Sequence, residues 1–137
     1  MDTTPRGDTR APRTYADPAY EFIAETHVAR LIEELAGDTA CGARFLRDFV
    51  CAWDGRMDRL TVALDPRDDR ALSATLLSLR SSSAMLGALV LGRTATEVLQ
   101  SVRSNLDVRP EQMSRLRVVG SATCREMSHL ADRLAAA

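Results

Sequence analysis

Few side chains in this 137-residue sequence can do covalent or metal chemistry. Two are histidines, His27 and His129, each able to act as a base, a nucleophile or a ligand. Three are cysteines, Cys41, Cys51 and Cys124, odd in number and without Cys-x-x-Cys spacing, so neither a disulfide framework nor a structural zinc site is indicated. Buried, reduced thiols are expected. The carboxylate pair Asp68-Asp69 sits where a helix should begin and complements its dipole, and Glu33-Glu34 falls near a helix end, so neither requires a metal. His-Glu-x-x-His, a glycine-rich phosphate loop after a strand, and a Ser, His and Asp set that the pattern would bring together are all lacking. The chain is therefore not expected to be an enzyme or to hold a metal or cofactor. One stretch stands apart: Leu76-Leu77-Ser78-Leu79-Arg80-Ser81-Ser82-Ser83-Ala84-Met85-Leu86-Gly87-Ala88 places three consecutive serines inside an apolar helical pattern, where hydroxyls compete with the backbone.

The elements that position these residues read as helices. The first 19 residues carry Pro5, Pro12 and Pro18 among polar residues and are expected to form a flexible tail, with a folded domain over 20–137. A helix over about 21–36 would bury Ala24, Val28, Leu31, Ile32 and Leu35 and end at Gly37. A second, over 43–64, turns Phe45, Leu46, Phe49, Val50, Trp53, Met57 and Leu60 inward, with Gly55 a local weakness of about 1 kcal/mol relative to Ala. At this spacing Trp53 is a core residue. Asp65-Pro66 reads as the start of a third helix, with Asp65 as its cap, Leu72, Leu76, Leu79, Ser83 and Leu86 as its stripe, and Gly87 as a left-handed stop. A fourth follows over 88–106, burying Leu91, Ala95, Val98 and Val102. Pro110-Glu111 opens a fifth, whose seam is Met113, Leu116, Gly120, Thr123, Met127, Leu130 and Leu134. The class is all-α, an antiparallel four-helix bundle with a short N-terminal accessory helix.

Composition agrees with that class. Hydrophobic residues make up 45% and aromatics 4%, which implies an aliphatic core. All 18 basic residues are arginine against 19 acids, a net charge of −1 that supplies no overall field for nucleic acid or an anionic membrane. The longest apolar run, over 84–91, is too short to span a bilayer, and the first residues lack a signal-peptide pattern. A cytoplasmic protein is expected.

The serine-rich stretch resembles the signature of the histidine-containing phosphotransfer (HPt) family, His-x-Leu-Lys-Gly-Ser-Ser-x-x-Leu-Gly-Ala. Leu79, Ser82, Ser83, Leu86, Gly87 and Ala88 match it, and Arg80 replaces the family's lysine. The segment from Gly42 to Val50 is similar to the family's Phe-Leu-x-x-Leu-x-x-x-Phe helix, and the resemblance extends over about 21–134. At the phosphoacceptor position this chain has Leu77, and where the family has glycine it has Ser81. A phosphoryl carrier needs a nucleophilic ring nitrogen, which leucine lacks. Ser78, rotated by about 100° on the helix, points elsewhere.

The resemblance thus implies a pseudo-HPt signalling protein of a two-component phosphorelay that binds a response-regulator receiver domain or a sensor histidine kinase without carrying phosphate. On helical geometry Leu77 lies about 140° from the core stripe and faces solvent, with Ala74, Ser81 and Ala84 around it and Arg70 and Arg80 at the rim. These six residues form the expected partner-binding face. Leu79, Ser82, Ser83, Leu86 and Gly87 serve packing, the two serines with hydroxyls bonded to the preceding turn. Two alternatives stay open: an active carrier using His129 or His27, and a helical interaction protein unrelated to phosphorelays. Neither nucleic acid nor membrane is expected as a partner.

Overall fold

The computed structural model describes residues 20–136. The tail expected over 1–19 lies outside the described residues. Five helices follow one another: α1 (Glu25–Glu34), α2 (Thr39–Leu64), α3 (Asp69–Met85), α4 (Leu89–Arg103) and α5 (Pro110–Ala136). Helix α2 packs on α3 and α5, and α4 packs on α3 and α5, which closes a ring of four; α1 rests on α2 and α3. Connections as short as 86–88 can only join antiparallel neighbours.

The apolar stripes account for the packing. All five stripe positions of α3 are buried, as are Leu46, Phe49, Trp53, Met57 and Leu60 of α2. Phe45, Val50, Ile32, Leu35 and Leu134, expected inside, are half-buried at the edge of the core. Among the described residues Phe49 and Trp53 are the only buried aromatics of a mainly aliphatic interior, and they stack with centroids 6.5 Å apart. Trp53 is accommodated by Gly120 of α5: a Cβ there would lie 1.9 Å from its ring. No described helix is long and apolar enough to cross a membrane.

Helix boundaries differ from the sequence reading for identifiable reasons. Helix α1 begins at Glu25 rather than near residue 21 because the preceding amides are taken by a distant carboxylate. The N–H groups of Glu21, Phe22 and Ile23 donate to Glu126 at 3.0, 2.8 and 3.1 Å. Helix α2 starts earlier than expected, since Asp38 caps it by accepting from the Cys41 amide. Asp65 does not cap α3; it ends α2 in an extended conformation, and Asp68 supplies the cap through the Ala71 amide.

Helix α4 stops at Arg103 because Asn105 turns left-handed and Leu106 N–H donates to Ser101 O at 2.8 Å. The same Schellman pattern ends α3 at Gly87 (φ +74), with Ala88 N–H donating to Ser83 O. At the end of α1 the left-handed residue in that position is Ala36, not glycine, followed by Gly37.

Candidate docking face on α3

Leu77 occupies the midpoint of α3, with eight helical residues on either side. Its side chain is half-buried rather than turned fully to solvent, because it lies down against the rim of the hydrophobic core. That corrects the expectation from helical rotation alone: a flexible aliphatic side chain covers apolar surface wherever its stem allows. Arg80 is likewise half-buried, whereas Arg70, Ala74, Ser81 and Ala84 are exposed. The six residues thus share the outer side of one helix, with Leu77 as the apolar element and two guanidiniums around it.

Grooves flank this ridge on both sides. Ala74 and Ser78 belong to a groove of about 1250 Å³ between α3 and α2. Arg80 and Ala84 belong to one of about 480 Å³ between α3 and α4, which also holds Arg93. Ser78 lines the first of these grooves, and Leu77 does not.

The matching residues of the motif do structural work. Leu79 and Leu86 are buried, and Ser83 is buried against Gly92 of α4, 3.6 Å from where a Cβ would stand there. The two serine hydroxyls do not return to the preceding turn: Ser83 Oγ has no partner, and Ser82 Oγ accepts from Arg56 Nη2 at 3.4 Å. Gly87 serves the accessory helix as well as the end of α3. A Cβ on it would meet His27 Cβ at 2.7 Å and Ala24 O at 2.8 Å, and its own carbonyl accepts from Ala24 N–H at 2.9 Å.

Neither histidine joins the face. His27 packs over Gly87, beyond the end of α3, about 15 Å along the helix axis from Leu77. His129 is exposed on α5, with Nδ1 2.6 Å from the Tyr20 hydroxyl, which also accepts from Arg133 Nη1 at 3.2 Å. Both have structural surroundings distinct from the α3 midpoint.

Sequence reasoning missed Arg56 and Arg59, which enter the α2–α3 groove. Burial first, and then the neighbouring Arg59, hold the Arg56 guanidinium below its ordinary value. Their i, i+3 spacing on α2 was the available signal. Among the described residues no group of three or more His, Cys, Asp and Glu side chains is placed to hold a metal ion.

With this geometry in hand, the fold can be matched to a solved one. The chain superposes on histidine-containing phosphotransfer protein B (HptB) from Pseudomonas aeruginosa PAO1 with a TM-score of 0.73, at 22% sequence identity, covering 84% of this chain and 98% of that one. Neither a family model nor a curated protein sequence matches the chain. The architecture is that of an HPt bundle, and at this identity the likeness speaks for the fold alone.

Proposed function

We propose that this chain is a pseudo-HPt signalling module of a two-component phosphorelay, acting in the cytoplasm by docking a receiver domain or sensor histidine kinase, with no phosphoryl group carried and no catalysis of its own. One observation carries the reading: Leu77 stands at the midpoint of α3 inside a motif of which Leu79, Ser82, Ser83, Leu86, Gly87 and Ala88 are kept, with arginine for lysine at Arg80 and serine for glycine at Ser81. A hydrocarbon there can contribute to a contact but cannot attack an aspartyl phosphate. A half-exposed leucine between arginines also suits recognition, since interface centres favour apolar anchors and arginine is enriched among interface residues. Retention of the HPt architecture around a lost nucleophile fits a partner that occupies a docking surface and thereby sequesters or tunes it.

The test combines binding and labelling. Titration calorimetry against receiver domains of the source organism should show binding that Leu77→Asp weakens by about tenfold or more, because a charge replaces the apolar anchor. Incubation with a receiver carrying radiolabelled phosphate should leave the chain unlabelled. Acid-labile phosphate on His27 or His129, or the absence of binding to every receiver and kinase tried, would defeat the reading.

A further inference from the structure

The two grooves beside the α3 ridge differ in charge. In the α2–α3 groove Arg56, Arg59 and Arg67 stand among Asp58, Asp68 and Asp69, so the signs cancel. The α3–α4 groove holds Arg80 and Arg93 against a single acid, Glu97. That acid is shared with Arg115 of α5, 3.8 Å away. Among the described residues neither the Arg80 nor the Arg93 guanidinium has an ion pair or a hydrogen bond. The imbalance runs along both helices: residues 70–103 carry Arg70, Arg80, Arg93 and Arg103, and Glu97 is their one acid. Ser83 faces Gly92, and the antiparallel register set by that contact brings Arg80 and Arg93 within one helical turn of each other along the groove. Helix α4 also starts there, without an acid in its first turn, so its dipole adds to the positive sign.

The rest of the lining is small and apolar. Ala84, Ala88 and Gly92 keep the groove shallow, and Leu89 stands at one end at 42% exposure. A bare anion would pair the guanidiniums and leave this apolar surface wet; a purely apolar ligand would leave the guanidiniums unpaired. No aromatic side chain lines the groove to stack a base, which disfavours nucleotides. We propose that the α3–α4 groove binds an acidic, aliphatic segment of a partner protein, with an Asp or Glu carboxylate taken by Arg80 and Arg93 and a neighbouring Leu, Ile or Val side chain lying over Ala84 and against Leu89. The docking face of Leu77 then extends across Arg80 and Ala84 onto α4, not onto α2. The identity of the partner rests on the docking reading above; the chemistry of the groove does not.

Phage-displayed random peptides selected on the full chain test this directly. Enriched sequences should carry Asp or Glu within one helical turn of Leu, Ile or Val. For a selected peptide followed by fluorescence anisotropy, Arg93→Glu and Leu89→Asp should each weaken binding about tenfold, as should changing the peptide's acids to amides. Arg59→Glu makes the same change in net charge on the other side of α3 and should leave the Kd unchanged. Arg93 and Leu89 are exposed, and an acid at the first residue of α4 suits its dipole, so the thermal midpoint should hold. Enrichment without acids, equal losses from Arg93→Glu and Arg59→Glu, displacement by millimolar inorganic phosphate at constant ionic strength, or no enrichment over an unrelated helical bundle would each overturn the proposal. A receiver that binds through Leu77 while no peptide depends on Arg93 would remove this proposal and leave the docking reading in place. Peptides that depend on Arg93, with no receiver or kinase bound, would do the reverse.

Discussion

Cys51 is exposed on α2, while Cys124 is half-buried on α5. Burial first, and then the charge of Asp54, push the Cys124 thiol up to about 11 from its ordinary 9.0. Because the folded chain holds this proton more tightly than the unfolded chain does, its contribution to stability is intact below pH 9.0 and is lost as the pH rises towards 11. Thermal melts between pH 8 and 10.5 should therefore show a steeper loss in the parent protein than in Cys124→Ala. In alkylation at pH 8, Cys51 should react first, since only about one Cys124 in a thousand is then thiolate. Leu77 illustrates the same dependence on surroundings: its place in the motif is legible in the sequence, but its half-burial is not, because rotation about a helix ignores what a long side chain finds beside it.

The helix ends carry their own predictions. Ala36 adopts φ +58 to end α1, a conformation that crowds its Cβ, so Ala36→Gly should raise stability by about 1 kcal/mol in urea denaturation. The seam between α2 and α5 is less forgiving. Gly120→Ala should cost about 3 kcal/mol, and in a Trp53→Leu background that added cost should fall below about 1 kcal/mol, because the clash is with the indole ring. The core stripe of α3, its stop at Gly87 and the start of α5 at Pro110 were all readable, since each is decided by neighbours in sequence. Asp65 and Asp68 offer the same cap chemistry three residues apart, so composition does not choose between them. The start of α1 depends on Glu126, about a hundred residues away, and the groove of Arg56 and Arg59 exists only once α2 meets α3. Such features are tertiary and leave no local mark.

For the whole molecule, the decisive joint is between its first and last described segments. Glu126 accepts three backbone amides from 21–23, Ile23 is buried beside them, and Tyr20 meets His129 and Arg133. Glu126→Ala should lower stability by about 2–3 kcal/mol through the loss of these charge-assisted bonds. Limited proteolysis followed by mass spectrometry should then find cleavage before Ala24, with α2 to α5 still intact. The four main helices do not need that strap to pair with one another, so their circular dichroism should persist after it is cut.

That joint also brings the beginning and the end of the bundle within a side chain's length of each other, Tyr20 touching a residue three positions before 136. A few glycines bridging 136 to 20 could therefore turn the chain into a ring, and reopening it at the exposed 104–107 turn would make α5 the leading helix. Every pairing in the bundle would survive that reordering, because connectivity between α4 and α5 is not what holds them side by side.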